Sequence, residues 1–186
     1  DTFLVKRTDG NRYRRIHAGT DEVWFGGDGG MVRFADSVWT EYSISGTAGL
    51  GPVRDSIGYL VPVGRDCRNR LLVFGRGTAR ETEVGATWAF DGAVWSLIDR
   101  TTIGFTASAA CDHRGGLWFA TNDGILWMES DTLGPAEGGV LITGVTGYDS
   151  VAALQVAPDG TLWFAADSGA VSFDGSRWVS YIHTAH

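Results

Sequence analysis

The chain is poor in proline, with 4 among 186 residues, and carries only 2 cysteines and 2 methionines. It has no run of about 18 consecutive apolar residues, which excludes a membrane-spanning helix. A basic, then apolar, then small-residue leader is missing as well, and the chain opens at Asp1 without a methionine. That beginning reads as a processed, excised or fragmentary sequence, whose export signal or membrane anchor would lie outside it. Positive charge is scarce: 15 Lys and Arg stand against 22 Asp and Glu, for a net charge of −7. A nonspecific nucleic-acid binder needs clustered cations to reach phosphates, so the charge balance disfavours that class. Disorder is excluded too, because 44% of the residues are hydrophobic and 20% charged, enough for a sizeable core.

What the chain has in excess is glycine, 27 residues, together with 12% aromatics that include 8 tryptophans. Tight turns between aromatic-rich strands account for that mixture better than helices do. The stretch from Pro158 to Tyr181 shows the pattern: Asp159-Gly160 makes a turn and Leu162-Trp163-Phe164 a buried strand. Ser168-Gly169 turns again into Ala170 to Phe173, and Asp174-Gly175 leads to Trp178. Trp163 is followed by Gly169, Trp178 and Tyr181, and Trp24 by Gly30, Trp39 and Tyr42 at the same offsets. Trp118 keeps its glycine, Gly124, without the later aromatic. Leu72 takes the anchor place in a fourth copy, where an insertion pushes Asp91-Gly92 and Trp95 further away. The anchors are 48, 46 and 45 residues apart (72−24, 118−72, 163−118). A period of about 40 to 50 residues with four short strands per unit is the signature of a β-propeller blade.

The whole chain, 1–186, therefore reads as a single propeller segment: 1–16 the end of a blade, then blades at 17–52, 53–100, 101–146 and 147–186. Val5 to Gly10 overlays Ala170 to Gly175, which places Tyr13 on Trp178 and makes the first residues a blade's tail. The 17–52 unit either lacks its innermost strand or uses Tyr13 to His17 for it. In the third blade Glu129 to Gly139 reads as a loop and Val140 to Thr143 as the last strand. Strands stacked between blades bury both faces, so the tryptophans are expected in the core. Trp127 is the least typical, since Arg33 and Ser172 hold its place in other copies. Arg12, Arg14 and Arg15, and likewise Arg65, Arg68, Arg70, Arg76 and Arg80, read as solvated blade edges paired with acidic neighbours. Alignment on Leu71 and Leu117 puts Cys67 opposite His113, so Cys67 and Cys111 are expected at different depths, as two free thiols.

At Asp112 to Ile125 (DHRGGLWFATNDGI), and again from Ala157 to Tyr181, the chain resembles the two-component regulator propeller repeat. The resemblance implies an all-β fold of about four blades of antiparallel strands, forming an open arc of a larger, about seven-bladed, propeller. It also implies a periplasmic or extracellular location and a noncatalytic, ligand-sensing role. The alternatives from other classes are a protein-interaction scaffold and a fragment of a polysaccharide-active propeller enzyme. An open arc leaves apolar blade faces uncovered, so further blades or a second copy of the chain are expected partners.

Strand alternation puts the a-b and c-d turns on one propeller face and the b-c and d-a loops on the other. Asp9, Asp91, Asp159 and Asp174 of the first face read as turn-formers that accept backbone N–H bonds, not as metal ligands. The long, dissimilar loops of the second face are where recognition is expected. The candidate ligand-binding residues there are Arg54, Asp55, Asn122, Asp123, Tyr148, Asp149 and Asp167, with Tyr59 and Phe105 nearby. Hydrogen-bonding groups beside aromatic rings suit a small polar ligand or an oligosaccharide. His17, His113, His183 and His186 lack metal-ligand spacing, and no G-x-S-x-G elbow or P-loop occurs. No catalytic residue, metal or cofactor is therefore expected.

Overall fold

The computed structural model describes residues 13–46, 50, 57–77, 85–99, 106–122, 124–129, 132–135, 151–166 and 169–182. These residues form β-strands joined by turns, in four antiparallel units that follow the chain. The first holds β1 (Tyr13–Ala18), β2 (Glu22–Asp28), β3 (Gly30–Ala35) and β4 (Val38–Ser43). The second holds β5 (Ile57–Arg65), β6 (Leu71–Gly77), β7 (Gly85–Phe90) and β8 (Trp95–Asp99). β9 (Thr106–Cys111), β10 (Leu117–Thr121), β11 (Gly124–Glu129) and β12 (Thr132–Pro135) make the third. The fourth is β13 (Val151–Val156), β14 (Leu162–Ala166), β15 (Gly169–Phe173) and β16 (Trp178–Ile182).

The innermost strand of the first unit is β1, which pairs with β2 from Tyr13 opposite Gly27 to Ala18 opposite Val23. Residues 13–16 thus pair within this blade, while residues 1–10 lie outside the described part. The third unit departs from its expected outline. Its last strand, β12, follows β11 directly in a hairpin with Glu129 opposite Thr132, inside the stretch expected to be a loop. Pro135 ends that strand, a position on an edge where a missing N–H costs little. Val140 to Thr143 lie outside the described residues.

Three apolar clusters join consecutive units. Trp24 and Met31 of the first pack with Leu71, Val73, Trp88 and Phe90 of the second. Leu72, Phe74 and Ala89 on the opposite face of the second meet Leu117 and Phe119 of the third. Trp118 and Ile125 of the third meet Leu154, Leu162, Phe164 and Val171 of the fourth. Sheets stacked face to face in sequence order, with their first strands gathered about one axis, are the blades of a β-propeller, here an open arc. Glycine lets the inner strands touch. A Cβ at Gly26 would collide with Pro62 and the Leu60 carbonyl, and one at Gly64 would overlap the Ala109 carbonyl oxygen. Main-chain pairs between blades result: Gly27 with Leu60, Asp28 with Tyr59, and Gly64 with Ala109.

The cysteines correct the free-thiol expectation: Cys67 and Cys111 form a disulfide, with Cα atoms 5.0 Å apart. Alignment on the turns sets Val63 opposite Ala109, whereas the pairing sets Gly64 opposite Ala109. The second and third inner strands are therefore one residue out of step. β5 also runs on to Arg65 before its turn, which carries Cys67 toward the end of β9. The tryptophans need a correction as well. Trp24, Trp88 and Trp118 are buried and Trp127 packs at the margin of a cluster, but Trp39 and Trp163 are each 39% exposed. Both sit on the outward faces of the end blades, where no described blade stacks.

The disulfide closes a loop with a sequence separation of 44, which constrains the unfolded chain by about 4 kcal/mol on a chain-entropy estimate. Cys67→Ser or Cys111→Ser should lower unfolding free energy by about 2–4 kcal/mol in urea melts. Peptide mapping without reductant should recover the Cys67–Cys111 pair, and the reductant effect should vanish in either variant.

Candidate functional site

The a-b turns of the second and third blades are built on one device. In the third blade Asp112 Oδ1 accepts from the N–H groups of Arg114 and Gly116, while Oδ2 accepts from Trp118 Nε1 at 2.7 Å. The anchor ring is thereby tied to its own turn. In the second blade Asp66 Oδ1 accepts from the N–H groups of Arg68 and Arg70, and Oδ2 takes Arg70 Nε at 2.7 Å. Asp91, Asp159 and Asp174 accept backbone N–H bonds from residues two or three ahead, the turn-forming role expected of them. Those bonds hold all three carboxyls below the usual aspartate range. Asp9 lies outside the described residues.

At this turn face the ends of the inner strands surround a cavity of about 660 Å³. His17, Arg65, Cys111 and Gln155 reach it from the first, second, third and fourth blades in turn. Across its wall Glu22 joins two blades: one carboxylate oxygen accepts from Arg33 Nε of its own blade, the other from Arg65 Nη2 of the next. Arg65 also donates to the Asn69 carbonyl at 2.6 Å, and the Arg33 guanidinium lies 5.9 Å from the Trp24 ring centre. Burial alone would raise the Glu22 pKa. The Trp24 indole N–H, which closes no hydrogen bond of standard geometry, and the two arginines outweigh it and hold the carboxyl low. The His17 pKa is lowered as well, which here favours the uncharged form. Burial first, then the Arg65 charge, favours its neutral form against a weaker pull from Glu22, and its buried Nε2 has no hydrogen-bond partner.

The residues nominated on the opposite face fall largely outside the described part: Arg54, Asp55, Asp123, Tyr148, Asp149 and Asp167, together with Phe105. Asn122 is described and lies exposed in the turn between β10 and β11. Tyr59 is the third residue of the second inner strand, with the Arg14 guanidinium 5.1 Å from its ring centre and Arg14 in turn donating to Asp28 at 2.7 Å. Sequence reasoning weighed His17 only as a metal ligand and Arg33 only as the counterpart of Trp127, passed over Glu22, and read Arg65 as a solvated edge. The only signal was local, a Glu two residues before an anchor Trp, and nothing along the chain links it to Arg65. Among the described residues, no group of three or more His, Cys, Asp and Glu side chains is placed to hold a metal ion.

The fold and its recess define a propeller arc with a polar axial mouth. No protein-family model matches the chain, and no curated protein matches it. Solved structures do. The extracellular domain of a B. thetaiotaomicron protein named as a hybrid two-component system matches with a TM-score of 0.62 at 14% identity, over 92% of this chain and 22% of its own. A second such extracellular domain from the same organism gives 0.63 at 12% identity, over 98% and 24%. A gluconolactonase from Xanthomonas campestris gives 0.52 at 14% identity, over 87% and 57%. The chain thus spans less than a quarter of the two sensor domains. Similarity at these identities establishes the shared propeller architecture, which serves both sensors and an enzyme, so function must be argued from the site.

The pKa directions set a pH profile. A histidine held neutral in the fold contributes stability that is complete above its unfolded pKa, about 6.5, and is lost as pH falls through that value toward the folded one. The three turn aspartates have depressed folded values, so their contribution is present above the unfolded pKa of about 3.9 and lost as pH falls further. Urea midpoints should therefore fall as pH is lowered through about 6.5, and fall again below about pH 4. His17→Gln should remove the first step and leave the second.

Proposed function

We propose that the chain is a noncatalytic, ligand-sensing portion of an extracytoplasmic propeller of the two-component regulator type. One observation carries the reading: the axial recess takes side chains from all four blades. A ligand seated there touches all four blades at once, so its affinity depends on their arrangement, which is what a sensor requires. The sensor-domain neighbours support the same reading. The Cys67–Cys111 bond supports an oxidising, extracytoplasmic compartment.

The ligand class is a small polar molecule or an oligosaccharide. His17, Glu22, Arg33, Arg65 and Gln155 supply donors and acceptors at the recess. Arg54, Asp55, Asn122, Asp123, Tyr148, Asp149 and Asp167 are proposed as a second contact set. Ligand-observed NMR against a panel of organic acids, amino acids and short oligosaccharides should find saturable binding, with the ligand recovered unchanged. Backbone shifts should change at the ends of β1, β5, β9 and β13, and Gln155→Ala should weaken binding about tenfold, the worth of one hydrogen bond. Shifts confined to the loops around Asn122 would move the site to the other mouth. Turnover of the ligand would replace sensing with catalysis.

A further inference from the structure

Part of the recess wall is a strap, the turn at 66–70 of the second blade. It is held together by its own bonds: the Asp66 N–H donates to the Arg70 carbonyl at 3.0 Å and the Asn69 N–H to the Asp66 carbonyl at 2.9 Å. The Asp66 carboxylate takes the Arg70 side chain at 2.7 Å. Arg65 belongs to the same unit, since it donates to the Asn69 carbonyl. The strap is tied on both sides to other blades. Arg65 reaches Glu22 of the first blade, and Cys67 is bonded to Cys111 of the third. Arg65, Asp66, Asn69 and Cys111 all line the cavity.

The covalent tie can be cut without parting the blades. Behind the strap, Val63, Leu72 and Ala89 of the second blade pack with Leu117 and Phe119 of the third, and Gly64 pairs with Ala109 through the main chain. Loss of the disulfide leaves these contacts in place and frees only the outer end of the strap. The bond is also within reach of solvent: Cys67 is exposed and Cys111 half-buried. Access is what decides whether an external thiolate attacks a disulfide in the folded state or only after unfolding.

We propose that the Cys67–Cys111 bond is a redox latch on the recess, opened by a dithiol reductant that frees the strap and displaces Arg65 from the wall. One thiolate of the dithiol attacks Cys67 Sγ, the S–S bond breaks, and Cys111 leaves as a thiolate that takes up a proton. The second thiol then displaces Cys67. Two electrons pass to the protein, the two protons of the dithiol end on the cysteine thiols, and the reductant ends as its own disulfide. A ligand that touches Arg65 binds the two redox forms with different affinity, and by linkage its binding shifts the redox equilibrium. As a control on ligand binding the latch rests on the sensing role proposed for the recess, whereas its opening does not.

Reduction of the purified chain with dithiothreitol under native conditions tests this. The rate, followed by thiol alkylation and mass spectrometry, should change less than about twofold with urea added below the unfolding transition. Exchange through global unfolding would instead speed up about tenfold or more per molar urea, which overturns the proposal. Near-UV circular dichroism should be retained on reduction, and its loss counts equally against a latch. His17 supplies the readout at the recess, because the Arg65 charge helps to hold its neutral form against the pull of Glu22. In NMR titrations the imidazole should protonate at higher pH in the reduced protein and return to its former titration on reoxidation. Cys67→Ser should titrate like the reduced form and ignore the reductant; reduced wild type gives the same comparison if that variant does not fold. An unchanged His17 titration, with shifts confined to the neighbours of the two cysteines, shows a structural bond and overturns the latch. A shifted titration supports the latch even where no ligand binds either redox form, a result that counts against the sensing role alone.

Discussion

The structure depends on one contact: an apolar anchor on the second strand of a blade, pressed into the face of the next. A four-stranded sheet of five- or six-residue strands cannot bury its own faces, so each blade is stable only as a neighbour. Trp118 shows how the contact is specified. Its ring fills the space between Phe164, Phe173 and Trp178, while its N–H is held by Asp112 in the turn behind it. The apolar body supplies burial, and the polar handle sets the direction in which the ring points. The same turn chemistry then shapes the face on which the axial recess opens.

The recess is where burial and charge oppose each other. Glu22 is drawn into the wall by the strand that positions Trp24, which costs solvation, and it stays ionised because arginines from two blades converge on it. A partly buried carboxylate shared between blades makes their relative placement depend on charge as well as packing. Burial favours the neutral form of His17 beside it, and its buried Nε2 has no hydrogen-bond partner. The groups available to a ligand are therefore by-products of how the inner strands were brought together, with glycines at 26 and 64 allowing the close approach.

Blade period, strand content and turn aspartates were readable because each is encoded within some 25 residues: anchor, glycine, Asp-Gly, aromatic. What the sequence hid was relational. The Cys67–Cys111 bond depends on a one-residue stagger between inner strands, which an alignment that assumes identical blades erases. Trp163 and Trp118 sit in nearly the same local sequence, yet one is exposed and the other buried, because burial is decided by the presence of a following blade. Arg65 reads as a solvated edge residue until the fold carries it across 43 positions to Glu22. For recognition, sequence variation pointed to the loops of one face, while the described cavity formed at the other end of the axis.

A double-mutant cycle between Trp118 and Trp178 tests the central claim most directly. The residues belong to different blades, with ring centres 6.0 Å apart, so removal of either should remove the same cross-blade contact. Urea unfolding of Trp118→Ala, Trp178→Ala and the pair should give a favourable coupling of about 0.5–1.5 kcal/mol. Additive losses would mean that the blades are stabilised internally and merely abut, which contradicts the account.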